Sequence, residues 1–267
     1  VRPQIELGKS LKICEYRCMK TILDGLAVEY EDSGQGPAIL FLHGWKTDLH
    51  TFDSLALLIA QGRRVLKLDL PGFGGTETPS TPWNVGDYAS FVANFLKKVG
   101  AIDYSIIGHS FGCRIAIKGV ATGKLSPRRL VLIGAAGIAH SRSARNRLFT
   151  IVTKIGKTAL SVIPAPGLKA VLRKRVYEKA RSDYLTAGAL RETYVKIVGE
   201  DLSKAATLID VPTLLIYGSE DDQTPIREAK AYERLIKGSR LMSLEGRGHF
   251  VHQEEPEKVA QLINDFI

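Results

Sequence analysis

Ser110 stands between two glycines, in Gly108-His109-Ser110-Phe111-Gly112, directly after the largely apolar run Tyr104-Ser105-Ile106-Ile107. A serine hydroxyl is a poor nucleophile until geometry and a base activate it, and this spacing supplies the geometry. A strand ending here enters a tight turn, and a helix starting near Phe111 leaves from it. Gly108 and Gly112 carry no Cβ to collide in that turn, so Ser110 can sit strained with its hydroxyl exposed. The same string also marks plain turns before helices, so the chemistry depends on partners elsewhere in the chain. His249, in Gly246-Arg247-Gly248-His249-Phe250, follows the run Arg240–Leu244 and could reach back as a general base. Taken alone, a loop histidine is an ordinary surface residue. Asp221 follows the run Thr213–Tyr217 and could orient that imidazole and stabilise its charged form. Its neighbours Glu220 and Asp222 could serve instead, and all three could equally be solvated loop charges. His43-Gly44-Trp45 closes the run Ala38–Leu42. Acyl transfer to a serine needs two backbone donors for the oxyanion, and here they would be the N–H groups of Trp45 and Phe111, with His43 bracing the loop.

These residues need elements that bring them to one edge. Seven short runs read as strands: Leu26–Glu31, Ala38–Leu42, Val65–Leu68, Tyr104–Ile107, Leu130–Ile133, Thr213–Tyr217 and Arg240–Leu244. Runs such as Ala38-Ile39-Leu40-Phe41-Leu42 are continuously apolar, as strands covered on both faces should be. Helix-length segments alternate with them: Phe52–Ala60, Asp87–Val99, Phe111–Thr122, Ile226–Ile236 and Pro256–Phe266. That alternation predicts an α/β fold with a largely parallel sheet between helices. A first hairpin begins near Met19, and residues 1–18 read as an extension outside the core. The core then spans 19–135 and 207–267. The pattern breaks over 136–206, a stretch of helical character interrupted by Ile163-Pro164-Ala165-Pro166-Gly167, which reads as a helical insertion.

Composition narrows the class. A chain of 267 residues with 45% hydrophobic and 24% charged residues can bury a sizeable core. No apolar run of about 18 uncharged residues is present to cross a membrane as a helix. Three cysteines (Cys14, Cys18 and Cys113) suit neither a disulfide framework nor a four-ligand zinc site, which points to a reducing cytoplasm. Cys14 and Cys18, four apart, could approach each other on a helix. The net charge of +9 is local: 136–206 holds fourteen Lys and Arg against five Asp and Glu, leaving 23 of each sign elsewhere. Within it, Arg142–Ile163 spaces apolar residues such as Leu148, Ile151, Val152 and Ile155 as one face of a helix. That face would line an acyl pocket as a lid. Alternatively, with Arg173-Lys174-Arg175, Lys179 and Arg181, it would present a basic surface to anionic membrane or anionic substrates. Nucleic acid is not an expected partner, since no recognition motif accompanies the charge.

Together, His43-Gly44-Trp45, Asp69-Leu70-Pro71-Gly72-Phe73-Gly74, Gly108-His109-Ser110-Phe111-Gly112, Gly218-x-x-Asp221-x-x-x-Pro225 and Gly248-His249-Phe250 resemble the α/β-hydrolase family with a lid domain. The resemblance runs over nearly all of Met19–Ile267, in the family's chain order of serine, acid and histidine. It implies a mostly parallel eight-stranded sheet, a helical cap over 136–206, and an acid three residues after the strand-end glycine, which selects Asp221. It implies no metal and no organic cofactor. Members that cleave haloalkanes or epoxides carry aspartate where this chain has Ser110. Members that cleave carbon–carbon bonds commonly carry Trp after the histidine, where this chain has Phe250. The His-Gly-Trp loop is similar to that of esterases and cofactor-free perhydrolases. The expected activity is therefore hydrolysis of small or medium carboxylic esters. Carbon–carbon, lactone or amide cleavage on the same residues is the alternative, and a ligand-binding receptor a further one.

Overall fold

Continuous apolar runs become the central strands of one eight-stranded sheet. The structure is a computed structural model describing residues 18–138 and 187–267. The strands are β1 (Cys18–Leu23), β2 (Leu26–Ser33), β3 (Ala38–Leu42), β4 (Arg64–Leu68), β5 (Tyr104–His109), β6 (Leu130–Ile133), β7 (Thr213–Gly218) and β8 (Arg240–Leu244). Their order across the sheet is β1-β2-β4-β3-β5-β6-β7-β8. The β1–β2 hairpin and the β2–β4 pair are antiparallel, and all other pairs are parallel. The strand order reverses between β3 and β5. Ligands of open α/β sheets bind at the carboxyl edge of such a reversal.

Residues alternate between two apolar layers. Ala38, Leu40 and Leu42 of β3 face one core, where they join Ile106 and Leu132. That side is covered by α2 (Val85–Lys98) and α3 (Phe111–Ala121), which bring Tyr88, Phe91, Phe95, Ile115 and Ile117. Ile39 and Phe41 face the other core with Ile107, Val131 and Ile216. There α1 (Asp53–Ile59) packs with the last helix, through Leu55, Ile59, Val259 and Ile263. The remaining helices are α4 (Arg191–Gly199), α5 (Ser203–Ala206), α6 (Ile226–Leu235), α7 (Val251–Glu254) and α8 (Pro256–Asn264). The predicted lid helix over 142–163 and the basic run 169–181 lie outside the described residues, as do residues 1–17 and Cys14 among them. The two ends of the inserted segment meet, because Leu202 N–H donates to Gly137 O at 2.9 Å. From there α5 packs against α3 and α6, with Ala206 fully buried.

Several boundaries differ from the sequence reading for local reasons. Cys18 opens β1 instead of a helix, one residue before the expected start of the core. The helix expected from Phe52 is preceded by a 3-10 turn, Leu49–Phe52, in which His50 N–H donates to Asp48 Oδ1 at 3.0 Å. A short helix, α7, precedes α8, with Pro256 at the start of the latter. Within β4 the apparently exposed Lys67 is buried: its Nζ lies 2.6 Å from Glu31 Oε2 and also contacts Asp53 Oδ1. The antiparallel register sets Glu31 directly opposite Lys67, so the charge is neutralised across the sheet.

Candidate active site

Ser110 takes φ 49° and ψ −102°, a left-handed backbone that a residue with a side chain adopts only under constraint. The constraint comes from both sides of the turn. A Cβ on Gly108 would lie 2.9 Å from Cys113 N, and one on Gly112 would lie 2.0 Å from Leu42 O. Only glycines let α3 start this close to β3 and β5. Ser110 N–H donates to Ile133 O (2.9 Å), tying the turn to the end of β6.

Asp221 and His249 meet on the loops after β7 and β8. His249 Nδ1 lies 2.7 Å from Asp221 Oδ2, and both residues are buried. With Nδ1–H donating to the carboxylate, Nε2 is left as the basic nitrogen. The other lone pairs of Asp221 are also met: Oδ1 accepts from the N–H groups of Gln223 and Thr224 (2.8 Å each), and Oδ2 accepts from Thr224 Oγ1 at 2.6 Å. Burial pushes the Asp221 pKa up, but hydrogen bonds and charge from His249, with those of Thr224, outweigh it and hold the group below the ordinary aspartate value. Glu220 makes a backbone bond to Arg247 O, and Asp222 is exposed at the rim. A Cβ on Gly218 would strike Arg247 O at 2.1 Å, so the glycine allows the two loops to touch.

The loop after β3 closes on the same point. A Cβ on Gly44 would lie 2.8 Å from His109 Nδ1 and 3.6 Å from Ser110 Cβ. Phe111 heads α3, where first-turn amides have no intrahelical acceptor. Among the described residues, neither Phe111 N–H nor Trp45 N–H donates to a backbone carbonyl. Such amides beside a serine can stabilise negative charge developing on a carbonyl oxygen. His43 braces the loop, with Nδ1 2.8 Å from Gly44 O and Nε2 accepting from Leu70 N–H at 3.0 Å. Burial pushes its pKa down to about 4, which keeps it neutral. Asp69 fixes the neighbouring loop by accepting from Leu49 N–H and Gly75 N–H, both at 2.7 Å.

Sequence reasoning passed over three further histidine-loop contacts. His109 Nε2 lies 3.0 Å from His249 O, so this nitrogen carries the proton and joins the serine turn to the histidine loop. Its ring centroid lies 4.7 Å from that of His249 and 4.5 Å from that of His252. Burial drives the His252 pKa down to about 3, and that of His109 well below the ordinary value. Thr224, the third, is the hydroxyl on Asp221 described above. None carries a sequence signal beyond lying beside Ser110, Asp221 or His249.

Ser110, His249, Trp45 and Phe111 all line one cavity of about 500 Å³, together with Arg114 and Tyr194. Aromatic contacts shape its wall: Trp45 packs against Phe73, Phe111 and Tyr194 with centroids 4.9, 5.5 and 5.2 Å apart. A serine at a strained strand-to-helix turn, lining one cavity with a histidine held by a buried carboxylate, can perform nucleophilic acyl transfer. Residues 39–262 match the alpha/beta hydrolase family. The chain belongs to that family. Its relatives include the AB hydrolase superfamily protein YisY of Bacillus subtilis, 28% identical over 250 residues that cover 88% of this chain and 93% of the relative. The pimeloyl-[acyl-carrier protein] methyl ester esterase of Neisseria meningitidis is 26% identical over 246 residues, 86% of this chain and 93% of that one. A solved membrane phospholipase A, described as a bacterial virulence factor, superposes with a TM-score of 0.74 at 26% identity, over 94% of this chain and 85% of that chain. The family and these relatives support hydrolase chemistry. No helix among the described residues is long and apolar enough to cross a membrane.

Proposed function

We propose that this alpha/beta hydrolase is a serine carboxylesterase in which Ser110, His249 and Asp221 act together. The observation that carries the reading is the strained Ser110 turn in one cavity wall with His249, whose Nδ1 is held 2.7 Å from Asp221. In the first half-reaction His249 Nε2 takes the Ser110 proton as Oγ bonds to the ester carbonyl carbon. The carbonyl oxygen becomes negative and is met by the N–H groups of Trp45 and Phe111. The carbon–oxygen bond to the alcohol then breaks, and the alcohol leaves with the proton held by His249. In the second half, water gives a proton to the same nitrogen and attacks the acyl carbon; the bond to Ser110 Oγ then breaks, Oγ takes the proton back from His249, and the acid leaves. Asp221 holds the imidazole in the required tautomer and stabilises its charge throughout. The methyl ester esterase activity named for the Neisseria relative supports ester over carbon–carbon cleavage. The positive excess carried by 136–206 favours anionic substrates or an anionic membrane.

A series of p-nitrophenyl esters tests the reading. The wild type should hydrolyse short and medium acyl chains. Ser110→Ala should lose the activity by about a thousandfold or more, since removing a member of such a set leaves only the residual contribution of binding and oxyanion donors. Equal turnover by the two proteins would overturn it.

A further inference from the structure

Arg114 lies in the first turn of α3, four positions after Ser110 in the chain. It lines the cavity that Ser110 and His249 share. Only one arm of its guanidinium is committed. Nη1 donates to Ile197 O (2.8 Å) and Glu200 O (3.0 Å), the carbonyls at the end of α4. Nε and Nη2 make no hydrogen bond to described residues, and no carboxylate closes an ion pair with Arg114 among them. The nearby Glu200 carboxylate is taken by Lys118 at 2.8 Å. Burial lowers the Arg114 pKa, and Tyr232, Glu228 and Glu200 partly compensate. A second donor in the same wall is also unmet: Trp45 Nε1 is buried and has no acceptor.

A buried donor without an acceptor, as Trp45 Nε1 is, is rare in native structures, and the free edge of the half-buried Arg114 guanidinium stands in the same wall. A guanidinium fork matches a carboxylate in shape and charge. We propose that this cavity recognises a carboxylate on its substrate, held by the unspent edge of Arg114 with Trp45 Nε1 as a second donor. The substrate class is then the half ester of a dicarboxylic acid, with its free carboxylate a few bonds from the scissile carbonyl. The positive excess of 136–206 adds long-range attraction for the same anions. The proposal rests on the esterase reading for its substrates but not for its binding site.

The test compares monomethyl succinate, adipate and suberate with methyl butyrate, hexanoate and octanoate. The wild type should favour a half ester over its neutral counterpart in kcat/KM by roughly tenfold to a hundredfold, the worth of a hydrogen-bonded charge pair. The gain should lie mainly in KM. Arg114→Gln should bring that ratio close to one, and Arg114→Lys should restore part of it. Neutral esters turned over as well as or better than half esters would overturn the proposal while leaving the esterase reading intact. Calorimetry with free adipate against hexanoate, on wild type and Arg114→Gln, gives an answer independent of turnover. Arg114-dependent binding of adipate without ester hydrolysis would support the anion site and count against the esterase reading. Equal binding of the two acids would again overturn the site.

Discussion

His252 offers a quantitative test of how the site keeps its unused histidines neutral. Its ring is buried beside Phe52 (5.0 Å) and His109 (4.5 Å), with Thr51 Oγ1 3.4 Å from Nε2. Burial, with the charge of His249 adding to it, lowers the pKa from 6.5 to about 3. The unfolded chain therefore binds a proton at His252 below pH 6.5 that the folded chain refuses until about pH 3. Stability is fully present above 6.5 and falls as the pH drops through that window, by about 1.4 kcal/mol per pH unit. At pH 5 the loss at this residue is about 2 kcal/mol. Other groups titrate in the same range: His43 and His109 lose stability in the same direction, while Glu228, raised by burial to about 7, opposes them. The clean observable is a difference between two proteins. His252→Phe keeps a ring in the slot but removes the titration. Urea unfolding at pH 8 and pH 5 should show wild type losing about 2 kcal/mol more than His252→Phe across that interval. An identical pH dependence would refute the assignment of His252 as a buried neutral group.

Thr224→Val removes the hydroxyl 2.6 Å from Asp221 Oδ2 but keeps the backbone contact. Steady-state kinetics should show kcat/KM falling by roughly tenfold to a hundredfold, since a hydrogen bond to a charged group is worth about 1.5–3 kcal/mol. Without that bond the Asp221 pKa should rise toward the ordinary value, and carboxyl chemical shifts followed against pH would detect the rise. Lys67→Ala leaves Glu31 buried opposite an empty position and should destabilise the fold by about 3–5 kcal/mol, read from the urea midpoint. A loss under about 1 kcal/mol would mean that water enters to solvate Glu31.

The residues that can do chemistry were legible because each sits in a short string whose spacing has a mechanical reason. Gly108 and Gly112 announce the strained turn, and the contacts their missing Cβ atoms would make explain why only glycine serves. Asp221 could be separated from Glu220 and Asp222 only by its distance from the strand-end glycine, and the structure gives that position the bond to His249. Elements with continuous apolar runs, such as β3 and β6, were equally plain. What escaped was set by tertiary register. Nothing local marks Lys67 as buried, because only the β2–β4 register places Glu31 across from it. His109, His252 and Thr224 bear no periodicity of their own, and their roles exist only once β5, β7, β8 and the following loops converge. Nothing local in the α3 sequence marks Arg114. Its neighbours, Ile197 and Glu200, lie more than eighty positions away in the chain.

The most direct measurement of the central claim is where the protein becomes acylated or phosphonylated. A fluorophosphonate probe followed by peptide mass spectrometry should mark the peptide carrying Ser110, with one label per chain. Labelling should vanish in Ser110→Ala and slow by several orders of magnitude in Asp221→Asn, where the histidine tautomer is lost. A label on any other serine, or ester turnover that continues while Ser110 stays unmodified, would contradict the account.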